Sequence, residues 1–169
     1  MSGAPFLVAA LDAAHGRSAF HSGSDPLDRY LSEQVTQDVR RRVTACFVAL
    51  ADGYRIAGYY TLASASLMLA DLPAGTARKL PRYPTVPAVR MGRLAVDQAF
   101  KGQGLGGALL ADALDRAARS EIAAYALVVD AKDDAAVAFY RHHGFIALPD
   151  SSSTLFLPLA TVQVSWKQK

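Results

Sequence analysis

In Arg93-Leu94-Ala95-Val96-Asp97 an apolar strand gives way, through Phe100-Lys101-Gly102-Gln103-Gly104-Leu105-Gly106-Gly107, to a glycine-rich turn and then to a helical pattern. Glycine lets the backbone approach a ligand closely and adopt conformations that a Cβ forbids. The N–H groups of a helix's first turn have no partner within the helix, and the helix dipole favours negative charge there. A strand, a glycine turn and a helix start in that order therefore describe a phosphate site.

Several loops share this outline. A nucleotide-triphosphatase loop ends in Lys-Ser/Thr, which Gly106-Gly107-Ala108 does not supply. A dinucleotide fingerprint needs Gly-x-Gly-x-x-Gly, whereas Gly102 to Gly106 reads Gly-x-Gly-x-Gly, on a strand whose neighbours look antiparallel. A glycine-rich surface turn without a ligand is the plain alternative. Lys101-Gly102-Gln103-Gly104-Leu105-Gly106 resembles the pyrophosphate loop of the Gcn5-related N-acetyltransferases, Arg/Gln-x-x-Gly-x-Gly/Ala, with Lys101 in the first slot.

A chain of 169 residues suits one domain with a substantial core, and the composition is that of an ordinary globular protein. No apolar run has the length of a membrane span, and the first residues lack a basic region followed by an apolar one. The expected location is cytoplasmic. The one cysteine, Cys46, lies in an apolar run and reads as a packing residue. Eighteen basic residues face fifteen acidic ones, and the excess is unevenly placed. Arg78, Lys79, Arg82, Arg90 and Arg93 fall in a stretch, 72–96, that has no acidic residue, and Arg40, Arg41 and Arg42 form a second run. Such blocks fit a polyanionic partner or a solvated face.

Periodicity predicts strands over 5–10, 43–50, 56–66, 89–96, 125–129, 145–148 and 153–157. It predicts helices from Asp25-Pro26, with Asp25 as cap, to near Arg40, over 105–119, and over 135–142 behind Asp133/Asp134. Gly144 ends the last of these. The proline-rich 72–87 should be largely irregular, with a short helix near 76–80. The order gives a single-domain α/β fold, a mixed central sheet flanked by helices, over 1–169. The final ten residues, with Trp166, read as a closing strand or a tail.

The second half narrows the resemblance. Val128-Val129-Asp130-Ala131, Asp133-Asp134 and Ala138-Phe139-Tyr140-Arg141-His142-His143-Gly144-Phe145 are similar to that family's strand and its Ala-x-x-Phe-Tyr-x-x-x-Gly-Phe helix. A closer likeness covers nearly the whole chain. Phe20-His21-Ser22-Gly23-Ser24, Leu27-Asp28-Arg29-Tyr30-Leu31, Ala57-Gly58-Tyr59-Tyr60-Thr61-Leu62, Arg82-Tyr83-Pro84 and Gly92 to Asp97 resemble the acetyltransferase toxins of bacterial type II toxin–antitoxin pairs.

That resemblance implies acetyl-CoA as cofactor and the α-amino group of aminoacyl-tRNA as acceptor, so that translation stops. It implies a ribbon–helix–helix antitoxin and a homodimer, with 66–72 as one surface for the second copy. Cofactor binding would fall to Leu94, Ala95, Val96, Lys101, Gly102, Gln103, Gly104, Leu105, Gly106, Gly107, Asp133, Ala136, Phe139 and Tyr140. Within that set the Val96 N–H would polarise the thioester carbonyl and the Tyr140 hydroxyl would protonate the leaving thiolate. Arg40, Arg41, Arg78, Lys79, Arg82, Arg90 and Arg93 would meet tRNA phosphates. Glu33 and Glu121 lie far from these motifs in the chain, so no glutamate base is evident, which suits an α-amine. The histidines lack metal-ligand spacing, and no metal is expected. A small-amine or protein N-terminal acetyltransferase is the alternative, followed by a non-catalytic acetyl-CoA-binding module.

Overall fold

The structure is a computed structural model, and it describes residues 6–162. Its elements are β1 (Leu7–Ala10), α1 (Asp25–Arg29), a π-helical turn (Tyr30–Gln34), α2 (Val35–Arg40), β2 (Ala45–Ala51) and β3 (Arg55–Met68). Then come α3 (Ala74–Ala77), β4 (Thr85–Val96), α4 (Leu105–Arg119), β5 (Ala126–Asp130), α5 (Asp134–His142), β6 (Ile146–Leu148) and β7 (Ser151–Pro158). The seven strands form one mixed sheet in the order β1-β2-β3-β4-β5-β7-β6. A short 3₁₀ turn, Leu159–Thr161, follows β7, and the rest of the expected closing strand lies outside the described residues.

Two compact units divide the chain. The first runs to Ala63 and takes in Gly92–Ala113; the second is Ser64–Met91 with the described residues from Leu114 onward. In the first, β1 pairs antiparallel with β2, and β2 with β3 across a turn in which Asp52 and Gly53 both have positive φ. Its core gathers Phe20, Leu31, Val35, Cys46, Val48, Ile56 and Tyr59. Leu105, Leu109 and Ala113 of α4 are buried at helical spacing. Gly58 is what lets α4 lie close: a Cβ there would stand 2.8 Å from Leu109 Cδ1 and 3.0 Å from the Ala95 carbonyl oxygen.

In the second unit β4 pairs with β5 in parallel from Ala88↔Ala126 to Met91↔Val129, and β7 runs antiparallel to both β5 and β6. The parallel pair corrects the antiparallel surroundings expected for β4. The chain reaches β5 from β4 through the glycine turn and α4, a connection long enough to return it in the same direction. The core here is Leu67, Leu72, Val86, Val128, Leu148 and Phe156. Leu67 and Leu72 being inside, the 66–72 stretch presents Met68 as its one exposed large apolar side chain.

Most boundaries fall within two residues of the sequence reading, with three differences. Ser24, not Asp25, precedes the first helical residue, and no side chain caps that helix. β4 begins at Thr85, through Pro87: a proline lacks a donor but still accepts, and the Pro87 carbonyl takes the Tyr125 N–H at 2.8 Å. The short helix lies at Ala74–Ala77 because the Pro73 carbonyl accepts from Thr76 and Ala77, both at 2.9 Å.

Candidate active site

In the first unit, Asp97 N–H donates to the Ala57 carbonyl of β3 at 2.8 Å. Donors alternate sides along a strand, so the N–H groups of Leu94 and Val96 point away from β3. The register of β4 with β5 has already ended at Met91. Gly92–Val96 thus carries an edge of main-chain donors and acceptors suited to an extended ligand, which can pair there as an added strand would.

Past that edge the loop turns sharply. Gly102 and Gly104 have φ of +81° and +80°, and a Cβ on either would meet nothing within 4 Å. The glycines are therefore there for the backbone conformation, and the space above them is free for a ligand. The first hydrogen bond of α4 runs from Ala108 N–H to the Gly104 carbonyl at 3.0 Å. Leu105, Gly106 and Gly107 are left with the unpaired donors of a helix start, and Gln103 is exposed beside them.

Lys101 takes a place that its slot in the motif did not suggest. Its ammonium donates to the Ser22 carbonyl at 2.6 Å, bracing the loop against the segment ahead of α1. Asp97 reinforces that brace. It is 3% exposed and accepts the His21 N–H at 2.9 Å and the Ala99 N–H at 2.8 Å, with Arg55 at 3.8 Å. Gln98 N–H returns to the His21 carbonyl at 2.9 Å. The sequence marked Asp97 only as the end of a motif; a buried acid invites the question of what it accepts.

In the second unit lies α5. Asp133 caps it by accepting the Ala136 N–H at 2.8 Å, and Gly144, at φ +92°, ends it. Tyr140 is buried between Phe139 and Phe145, with ring centroids at 5.2 and 5.5 Å. Its hydroxyl has no hydrogen-bond partner among the described residues, and burial pushes its pKa up from 10 to about 12. It therefore stays a phenol, able to donate, well above neutral pH.

Residues 10–145 match the sequence pattern of the Acetyltransferase (GNAT) family. The chain belongs to that family. It is an N-acetyltransferase whose cofactor is acetyl-CoA, and the positive-φ glycines, free helix-start donors and open β4 edge fit that cofactor's pyrophosphate and amides. Among its relatives, the tRNA-acetylating toxin of Mycobacterium tuberculosis is 39% identical over 142 residues, covering 83% of this chain and 84% of the relative. The solved structure of AtaT complexed with acetyl-methionyl-tRNAfMet superposes with a TM-score of 0.86 at 28% identity, covering 93% of this chain and 96% of that one. AtaTR bound with acetyl-CoA gives 0.81 at 27%, covering 94% and 96%.

The basic residues expected to meet tRNA are divided. Arg40 and Arg41, exposed at the end of α2, lie in the first unit with half-buried Arg93. Arg78, Lys79 and Arg82, all exposed, lie in the second with Arg90, whose guanidinium is bonded to Asp130. Among the described residues no group of three or more histidines, cysteines and carboxylates could hold a metal ion, and no helix is long and apolar enough to cross a membrane. The acetyltransferase does have a glutamate near its motifs, contrary to the reading from chain distance. Glu33, on the π-helical turn, lines a pocket together with Arg93, the residue just ahead of Leu94.

Proposed function

We propose that this acetyltransferase is a toxin that transfers the acetyl group of acetyl-CoA to the α-amino group of aminoacyl-tRNA and so blocks translation. The observation that carries the reading is the main-chain edge at Leu94 and Val96 running into a phosphate-ready loop, in a chain 39% identical to a tRNA-acetylating toxin. In this reading the loop N–H groups hold the pyrophosphate and the β4 edge holds the pantetheine amides. The Val96 N–H stabilises charge developing on the thioester carbonyl oxygen, a contribution of about 2.7–4 kcal/mol when such a donor is preorganised. Attack of the amine would place negative charge on the carbonyl oxygen, where the Val96 N–H donates, and loss of the C–S bond would then relieve it. The amine's proton would leave to water, and Tyr140 would deliver its hydroxyl proton to the departing sulfur and regain one from water.

An α-amine titrates near ~8, so a useful fraction is already neutral at cellular pH and the site needs no strong base. Arg40, Arg41, Arg78, Lys79, Arg82, Arg90 and Arg93 supply charge to the tRNA backbone, Arg90 also being bonded to Asp130. The whole chain works as one N-acetyltransferase domain that pairs as a homodimer and is neutralised by a ribbon–helix–helix antitoxin.

The test is transfer of labelled acetyl from acetyl-CoA to a charged total tRNA pool, with wild type beside Tyr140→Phe. Label should appear in the aminoacyl-tRNA fraction and fall about 10²–10⁴-fold in the variant, the range for loss of a positioned acid. Label on small amines or peptides, with none on tRNA, would replace this reading with the small-acceptor one.

A further inference from the structure

A pocket of about 350 Å³ opens beside the π-helical turn, lined by Leu27, Arg29, Tyr30, Glu33, Gln34 and Arg93 among others. That volume suits a group the size of one nucleotide. The π turn builds it: the wider hydrogen bond from Val35 N–H to the Tyr30 carbonyl buries Tyr30 while Glu33 and Gln34 stay exposed. Single π turns within helices often sit at functional sites. One wall is fixed, because the Tyr30 hydroxyl donates to Asp38 at 2.7 Å and the Gln34 amide donates to the same carboxylate at 3.0 Å.

The Arg93 guanidinium lies over the Tyr30 ring, its carbon 3.5 Å from the centroid. A face so stacked leaves the guanidinium's edge, and among the described residues no carboxylate or carbonyl accepts from it. A planar fork with free N–H groups matches phosphate oxygens two at a time. Arg29 adds a second cation. A purely anionic ligand would be repelled by Glu33, whereas a ribonucleotide also brings hydroxyls that a carboxylate accepts, as acidic residues do for ribose elsewhere.

Resting on the tRNA reading above, we infer that this pocket is a ribonucleotide subsite for the acceptor end. Arg93 holds the phosphodiester behind the terminal adenosine, and Glu33 accepts from a ribose hydroxyl of the nucleotide before it. The subsite would distinguish charged RNA from a free amino acid and from the deoxy form, since the 2′-hydroxyl is what marks RNA.

The experiment compares kcat/KM on three acceptors bearing one amino acid that wild type labels on tRNA: aminoacyl-adenosine, aminoacyl-CpA and aminoacyl-CpA with a 2′-deoxycytidine. Wild type should prefer the dinucleotide over the nucleoside. Arg93→Gln should shrink that preference about 10–100-fold, with Arg93→Lys recovering part of it. Glu33→Gln, a change on an exposed side chain that should leave the fold intact, should erase most of the ribo-over-deoxy preference. A wild type that labels charged tRNA but treats the three acceptors alike overturns the subsite alone, as does an undiminished preference in Arg93→Gln. A wild type that labels no charged tRNA overturns the function and the subsite together.

Discussion

Asp97 shows how much one side chain can organise. It follows β4, nearly fully buried, with two backbone donors on its two oxygens and the Arg55 guanidinium 3.8 Å away. One donor starts the 3₁₀ turn that leads to the glycine loop, and the other belongs to the segment ahead of α1. Removing the carboxylate takes this acceptor from both, and a hydrogen bond to a charged group is worth about 1.5–3 kcal/mol. We expect Asp97→Ala to lower stability by about 2–4 kcal/mol, and Asp97→Asn by roughly half as much because one amide oxygen remains. Urea melts measure this, and an alanine variant within about 0.5 kcal/mol of wild type, the scatter of neutral surface changes, would show the contacts to be incidental. Nothing in the sequence announced this role, because His21 and Asp97 are far apart in the chain and only the fold joins them. Tyr140 was legible for the opposite reason: it sits in a local pattern, Phe-Tyr followed by Gly-Phe, that spells out its own helix end.

Among elements, the glycine loop and α4 were legible almost residue by residue, since both are local. Glycines that need positive φ stand out in a strand-to-helix turn, and the apolar spacing of Leu105, Leu109 and Ala113 marks the buried face. The π-helical turn was not legible. A five-residue turn uses the same apolar spacing as an α-helix, so Leu27, Tyr30, Leu31 and Val35 fit either. The pocket beside it, and with it Glu33, was hidden for that reason. The loop's geometry also separates two kinds of damage. At Gly104 a Cβ meets nothing, so Gly104→Ala pays only the backbone cost of positive φ, about 1–2 kcal/mol. Gly104→Glu adds a negative charge where the proposed reading puts the pyrophosphate, and like charges brought together cost several kcal/mol. Titration calorimetry with acetyl-CoA should find binding weakened on the order of 100-fold or more by the glutamate, well beyond the alanine's effect. Equal affinities for the two variants would remove the loop from cofactor binding.

At the scale of the whole molecule, the groups whose protonation is most displaced all move the same way. Burial pushes the Cys46 thiol up to about 12 and the Tyr140 phenol up to about 12, and it also raises Tyr30, Tyr59 and Tyr125. In the unfolded chain a thiol titrates near ~8.5 and a phenol near ~10. Each group therefore favours the folded state fully below its unfolded value. As pH rises past that value the unfolded chain sheds protons that the folded chain keeps, and the advantage is gone once pH passes the folded value. Because these five shifts have the same sign, their losses add in alkali; Asp38, lowered by its hydrogen bonds from Tyr30 and Gln34, acts only in acid. The thiol acts first, from roughly pH 8.5, and the phenols join near ~10. Thermal unfolding followed from pH 7 to 11.5 should show a midpoint that is level at first, declines gently from about pH 9 and falls steeply beyond about 10. Cys46→Ala should remove the early decline while leaving the steep part in place, even if its midpoint is lower throughout from the lost packing. A midpoint level to pH 11 in wild type, or an early decline that persists in Cys46→Ala, would mean that these groups do not keep their protons in the folded chain.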